Sequence, residues 1–425
     1  MMLVLLALAN ADHAIAQTSS ADAPLTLRML LDSVRAGHPL IDAASARVRA
    51  ARGARTTAGT FGNPVVGYQV DNASFPGGRP VDGVDREAMT TATFPLEPLY
   101  QRGGRVARAN AEIRAAEADA IVTRQRLALD ATRAYYRVAL GQVTVATSRD
   151  LSAWLDTVVV YNRSRAKEGA TSEADLIRSE LERDRAAADA SMAEAELAQS
   201  RAELAGFLGA ADAFARVKMV AAAEAPIAMP RAEHGLATRG EVRAARERLA
   251  AASAGVTTER RMLIRQLGAT IGTKQMAGTT SMIAGLSLPI PLFDANRGEV
   301  QRASAERDAA AFELANQERV TSSEVLGASE AARLLTERAS ILTRGGPDNF
   351  LARAEEGRRI ALGAYREGAV PLFQVIDAAR TWGDARLTYY RTLYAQHQSV
   401  LVLLAAEGSD LFAPSSITML SEPAR

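Results

Sequence analysis

Apolar Val66, Tyr68 and Val70 alternate with Gly67, Gln69 and Asp71 just after the breaker Gly62-Asn63-Pro64. A two-residue period marks a strand with one face in an apolar medium. A Gly- and Pro-rich loop from Asn72 to Arg86 leads into Ala88-Met89-Thr90-Thr91-Ala92-Thr93-Phe94. Together these stretches predict a hairpin with strands at about 64–72 and about 86–95. The alternation returns with Leu267, Ala269 and Ile271 against Gln266, Gly268 and Thr270, then with Met282, Ala284, Leu286 and Leu288 against Ser281, Ile283, Gly285 and Ser287. A second hairpin is predicted there, with strands at about 263–273 and about 280–289. Strands of about ten residues cross a bilayer when tilted. Four cannot close a barrel, and open edges cannot sit in lipid. Either several chains share one barrel, or the hairpins pack on helices as soluble sheet.

Between the hairpins the period lengthens. From Gly104 to Gly169 there is no Pro and one interior Gly, Gly141. A helix over about 101–167 extends roughly 100 Å at ~1.5 Å per residue. An opening helix at about 25–57 and a return helix at about 171–208 are each about half as long, so stacked end to end they match the long one. The second half follows the same plan, with a long helix at about 297–366 and a return helix at about 371–407. Gly345-Gly346-Pro347-Asp348 predicts a kink or small excursion in that long helix.

The halves match at landmarks. Phe94-Pro95-Leu96-Glu97-Pro98-Leu99-Tyr100, followed by Arg102-Gly103, corresponds to Leu288-Pro289-Ile290-Pro291-Leu292-Phe293, followed by Arg297-Gly298. Ala166-Lys167-Glu168-Gly169-Ala170 corresponds to Tyr365-Arg366-Glu367-Gly368-Ala369, and Pro39 to Ala44 more weakly to Gly240 to Ala245. Landmarks in the same order imply a duplicated unit of about 200 residues. The expected organisation is a first repeat over about 17–209, a linker over about 210–235, a second repeat over about 236–408 and a tail over about 409–425. Leu3 to Ala9 is a short apolar run followed by Ala14-Ile15-Ala16-Gln17, the pattern of a signal peptide over about 1–16.

Composition narrows the function. Lys and Arg number 50 against 49 Asp and Glu, which disfavours nucleic acid as a partner, since phosphate-binding proteins carry a basic excess. The chain is 48% hydrophobic but only 5% aromatic, with Ala the largest share, as in closely packed long helices. The absence of Cys removes disulfides, thiolate metal sites, thiol catalysis and a lipid-modified N-terminal Cys. His13, His38, His234 and His397 form no metal-binding spacing, and Pro76-Gly77-Gly78 lacks the context of a phosphate loop. No enzyme and no cofactor is expected.

The segments Pro289-Ile290-Pro291-Leu292-Phe293-Asp294-Ala295-Asn296-Arg297-Gly298 and Tyr365 to Arg380 resemble signatures of the TolC-type outer-membrane efflux family. Their wording is most like the CzcC-like branch that serves heavy-metal cation exporters. The resemblance runs from about Leu25 to Leu411 and implies a mainly α fold with a transmembrane β-barrel portion. It implies a homotrimer in the outer-membrane lipid, whose shared twelve-stranded barrel continues as a hollow α-helical barrel of long antiparallel coiled-coil hairpins in the periplasm. The implied role is the passive exit duct of a tripartite pump, joined by a periplasmic adaptor to an inner-membrane transporter of the resistance-nodulation-division type. Heavy-metal cations are the first expected cargo, with drugs, solvents or a secreted polypeptide as the alternative. From another class, a soluble periplasmic coiled-coil adaptor or scaffold also fits the helices.

Gly169 and Gly368 sit at the helix reversals, where a C-capping glycine is the plain structural expectation. The resemblance makes these turns the periplasmic tips, with adaptor contact over Lys167, Glu168, Gly169, Ala170 and on to Ser172, and over Arg366, Glu367, Gly368, Ala369 and on to Leu372. Asp175 and Asp377 begin the return helices, where a carboxylate favours the macrodipole. By resemblance they line a periplasmic gate, since a carboxylate ring concentrates cations. Gln374 stands where the family often has an acid, Tyr365 matches a gating aromatic, and the usual Arg partner of that aromatic is Val370.

Overall fold

The computed structural model describes residues 24–73, 84–208, 220–221, 225–230, 239–262, 267–290, 292–344 and 349–413. The signal peptide, His13, His234, Pro76-Gly77-Gly78, most of the linker, the excursion at residues 345–348 and the tail beyond residue 413 lie outside these described residues.

The elements run α1 (Leu27–Gly37), α2 (Pro39–Gly59), β1 (Val65–Asp71), β2 (Glu87–Pro95), α3 (Pro98–Lys167), α4 (Glu173–Leu208), α5 (Gly240–Arg261), β3 (Gly268–Met276), β4 (Thr279–Ser287), α6 (Arg297–Thr343), α7 (Phe350–Arg366) and α8 (Leu372–Ala406). The chain is mostly helix, with a four-stranded antiparallel sheet in the order β1-β2-β3-β4. No described helix is long and apolar enough to cross a membrane.

Register sorts the sheet into two unlike faces. Tyr68 pairs with Thr90, Thr90 with Thr273 and Thr273 with Met282. Because side chains alternate, Val66, Val70, Ala92, Ile271, Met282 and Leu286 share one face. The other face carries Gln69, Asp71, Glu87, Thr93, Thr270 and Lys274. Its polar groups bond among themselves: Lys274 Nζ to Glu87 at 2.5 Å, Gln69 to Asp71 at 2.8 Å, and the Thr93 and Thr270 hydroxyls at 2.9 Å. The apolar face has no such cover, and Met282 is 83% exposed. β1 and β4 leave an open edge on each side.

The helices form a layer in matching order. α3 spans 70 residues and packs along α2 and α4 on one side and along α5 and α8 on the other. α6 then flanks α5 and α8, and α7 flanks α8. Each half is therefore a long helical run beside a stacked pair. Small side chains permit the close approach: a Cβ on Gly104 would meet Thr258 Oγ1 at 2.5 Å.

The opening helix expected at 25–57 is two helices. Proline disfavours helical backbone in the residue before it, and His38 is extended (φ −80°, ψ 126°) with its Nδ1 accepting the Leu40 N–H at 3.2 Å. The third strand runs to Met276 rather than 273, because the hairpin turns on Ala277 and Gly278, both at positive φ (49° and 76°). Such turns favour Asn-Gly or Gly-Gly, so an Ala-Gly turn was hard to place from sequence.

The core sits where the halves meet and is strapped by buried polar side chains. The Tyr135 hydroxyl donates to the carbonyls of Leu25 and Ala221 at 3.2 and 2.9 Å. Gln396 takes both backbone groups of Ile227, its Oε1 accepting from the N–H at 3.2 Å and its Nε2 donating to the carbonyl at 2.7 Å. His397 Nε2 donates to Ala225 O at 2.8 Å, so its Nδ1 accepts from the Tyr136 hydroxyl at 3.0 Å. Burial holds the His397 pKa below its ordinary value. The unfolded ring gains its proton near pH ~6.5, the folded ring only at lower pH. The stability tied to the neutral ring is therefore complete above about pH 6.5 and is lost as pH falls toward the folded value, by at most about 1.4 kcal/mol per pH unit. Melting in detergent at pH 7.5 and 5.5, as roughly placed either side of that value, is expected to drop further for wild type than for His397→Gln. Equal drops in the two proteins would remove His397 from the pH response.

Candidate functional site

Both long hairpins reverse in the same way. Gly169 (φ 69°) and Gly368 (φ 75°) lie in the left-handed region. The Ala170 N–H donates to Arg165 O at 2.8 Å and the Gly169 N–H to Ala166 O at 3.1 Å; in the second hairpin Ala369 donates to Ala364 O at 2.8 Å and Gly368 to Tyr365 O at 3.0 Å. These bonds close the carbonyl ends of α3 and α7 in a conformation that glycine adopts without strain. Lys167 and Arg366 stand in the last helical turns, where a cation meets the negative end of the dipole. All eight tip residues, Lys167 to Ala170 and Arg366 to Ala369, are exposed.

The two chains of residues leaving the turns differ. The Ser172 hydroxyl accepts the Asp175 N–H at 3.0 Å and donates to Asp175 Oδ2 at 2.9 Å, a reciprocal cap on α4. Pro371 and Gln374 hold the corresponding places at the start of α8, and there the Gln374 N–H donates to Pro371 O at 3.0 Å. Gln374 thus matches Asp175, while Asp377 matches Arg178. The two acids are not repeat equivalents. Asp175 is half-buried, whereas Asp377 and Gln374 are exposed.

Tyr365 joins the hairpins. Its hydroxyl donates to Asn162 Oδ1 on α3 at 2.7 Å, and its ring meets Tyr161 edge-on at 5.8 Å between centroids. Tyr161 OH in turn donates to Arg366 O at 3.3 Å and accepts from Arg165 at 3.2 Å; Arg165 also reaches Ala170 O at 3.1 Å. Burial, with the nearby Asp175 charge, pushes the Tyr365 phenol above its usual range. It stays a neutral donor. Val370 packs with Val158, Tyr365, Leu372, Val375 and Ile376 in a small apolar cluster beneath the turn. The polar tie at this level therefore comes from Asn162, which the sequence reading did not single out. Its signal was present: Val158, Tyr161, Asn162 and Arg165 fall at helical spacing on one face.

Further ties run between the hairpins. Arg380 on α8 forks to both oxygens of Glu182 on α4 at 2.5 and 2.6 Å, and Arg178 on α4 lies over the exposed Phe373 ring at 5.8 Å. Arg386 on α8 pairs with Asp150 on α3 at 2.6 Å. In each ion pair the cation belongs to the second hairpin and the carboxylate to the first.

Residues 232–409 match the model of the family described as outer membrane efflux protein. The chain is 30% identical over 311 residues to the nickel and cobalt resistance protein CnrC of Cupriavidus metallidurans, covering 70% of each. It is 28% identical over 165 residues to the cobalt-zinc-cadmium resistance protein CzcC of the same organism, covering 38% of each. Its fold is that of the outer membrane protein VceC of Vibrio cholerae, with a TM-score of 0.75 at 18% identity over 90% of this chain and 96% of that one. An amphipathic sheet with open edges, a doubled layer of long helices and this kinship have one reading: the chain belongs to the outer membrane efflux protein family, as an efflux duct of the outer membrane with a periplasmic helical extension.

Proposed function

We propose that three copies of this chain form one duct, which conducts heavy-metal cations delivered by an inner-membrane transporter of the resistance-nodulation-division type through a periplasmic adaptor. The observation that carries the trimer is the pair of open edges. An unpaired backbone group in lipid costs several kcal/mol, roughly per group, so β1 of one copy pairs with β4 of the next and three sets of four strands close a barrel. The helix layer is open on the same two sides, at α2 and α4 and at α6 and α7. One set of neighbours closes both layers. The soluble adaptor reading has no place beside the family match.

The cargo assignment rests on relatives whose names state resistance to nickel, cobalt, zinc and cadmium. The tips, Lys167 to Ala170 and Arg366 to Ala369, are the adaptor-docking surface, and Asp377, Gln374, Asp175 and Tyr365 form the gate just above them. In the clasped arrangement Tyr365 and Asn162 hold the second hairpin against the first.

Deleting the gene and growing cells on metal and drug panels tests the cargo. Expected is a fall of several-fold in the tolerated concentration of cobalt, nickel, zinc or cadmium, restored by the gene in trans. Drug sensitivity with unchanged metal tolerance would assign the duct to the alternative cargo.

A further inference from the structure

The chain has two tryptophans, Trp154 and Trp382, and both face one guanidinium. Arg358 Cζ lies 4.0 Å from the Trp382 ring centroid and 5.5 Å from that of Trp154; Arg386 lies 5.5 Å from the Trp382 ring. Arg386 then pairs with Asp150 at 2.6 Å, one helical turn before Trp154. The result is an alternating stack of indole and guanidinium with a carboxylate at its end. The Arg358 side chain is only 13% exposed.

We propose that this stack is a second latch of the duct, above the Tyr365 clasp, and that Arg358 must leave Trp154 for the hairpins to part. The proposal rests on the gate reading given above. Its parts are divided as a latch requires. Arg358 on α7, with Trp382 and Arg386 on α8, belongs to the second hairpin, while Trp154 and Asp150 belong to α3 in the first. Of the two indole contacts of Arg358, the closer, at 4.0 Å, is within the second hairpin and the looser, at 5.5 Å, crosses between the hairpins, as does the Arg386–Asp150 ion pair at 2.6 Å.

Separation also leaves no charge stranded. Arg358 Nη2 bonds both oxygens of Glu355, one turn away on α7, at 2.6 and 2.9 Å, so it retains its anion and one indole when Trp154 departs. Arg358 Nε is buried without a hydrogen-bond partner. The Trp154 contact is thus a face contact with no directional bond to break, which suits repeated opening. Arg386 and Asp150 would separate into water, since the Asp150 side chain is already 54% exposed. Trp154 precedes Asn162 by eight residues on α3, about 12 Å along the helix. Two fastenings at different heights hold the second hairpin along a line rather than at a point.

Single-channel recording on the full-length protein in planar bilayers tests the latch. Arg358→Met and Trp154→Leu are each expected to raise the resting conductance about two-fold or more, Tyr365→Phe to do likewise, and the Arg358→Met/Tyr365→Phe double variant to exceed either. Arg358→Lys, which keeps a cation over the indoles, is expected to remain near wild type. In a Trp382→Phe background the one remaining indole, Trp154, is expected to become about two-fold more quenchable by acrylamide when Tyr365→Phe is added. If Arg358→Met and Trp154→Leu conduct as wild type while Tyr365→Phe opens the channel, the second latch is wrong and the gate stands. If none of these variants alters conductance, the gate reading falls and the latch with it. Folding of each variant is followed by its melting temperature, and Arg358→Lys rescue separates loss of the stack from loss of fold.

Discussion

Met282→Arg is expected to remove the protein from the outer-membrane fraction, whereas Ser281→Arg, one residue earlier, leaves it there. The two positions are neighbours on β4 and differ in the face they occupy. Met282 lies with Val66, Ala92, Ile271 and Leu286 on the face that meets lipid. An Arg near the bilayer midplane costs about 2–4 kcal/mol, and the proposed trimer would carry it three times. Folded proteins hold only about 5–15 kcal/mol in reserve, so most of that margin goes. Ser281 lies on the polar face, where its hydroxyl donates to Lys274 O at 3.3 Å and Lys274 already sits beside Glu87. A further cation there meets water. The measurement is the trimer band on unheated gels of membrane fractions. Equal survival of both variants would show that the apolar face is not the lipid face.

That contrast was legible in the sequence because a strand has one period and Met282, Ala284 and Leu286 keep to it. The doubling was legible too, since two Arg-Gly landmarks and two Glu-Gly-Ala turns recur in order. Register across strands was not, because it depends on where the hairpin turns, and Ala277 gives no sign that it will take positive φ. The break at His38 was readable from Pro39, but the long apolar pattern of the opening helix outweighed it. At the tips, glycine and the flanking charges were visible, since each is explained within its own turn. Asn162, Trp154 and Arg358 were not, because their meaning arises only when α3 lies against α7 and α8. Side chains some 200 residues apart, as the repeat length implies, leave no local pattern. Asp175 and Asp377 differ already in spacing, six residues after Gly169 and nine after Gly368, but the capping that ties Asp175 to Ser172 is seen only in the fold.

Asp377→Ala is expected to weaken block of the channel by a trivalent cation, such as hexaamminecobalt, by about tenfold or more, and Asp175→Ala by less than about threefold. Asp175 is committed locally, with its backbone and carboxylate both engaged by Ser172. Its loss leaves the backbone bond to Ser172 in place, removes the carboxylate's bond to that hydroxyl and its favourable place at the helix N-terminus, about 0.3–1 kcal/mol, and relieves the charge that helps raise the Tyr365 phenol. Asp377 is exposed on α8, one turn beyond Gln374, with no ion pair among the described residues. In the proposed trimer, threefold symmetry would bring three such carboxylates around one axis. Each attracts a unit charge by about 1 kcal/mol at ~4 Å in water, and by about four times that where the surroundings are less polar. A trivalent ion meeting three of them at even a modest fraction of that strength exceeds the ~1.4 kcal/mol that corresponds to tenfold. In the proposed gate Gln374, neutral in the place an acid often holds, leaves the ring to Asp377, so Gln374→Glu is expected to strengthen the block. The reading requires the two aspartates to differ; matched effects at Asp175 and Asp377 would place the ring elsewhere.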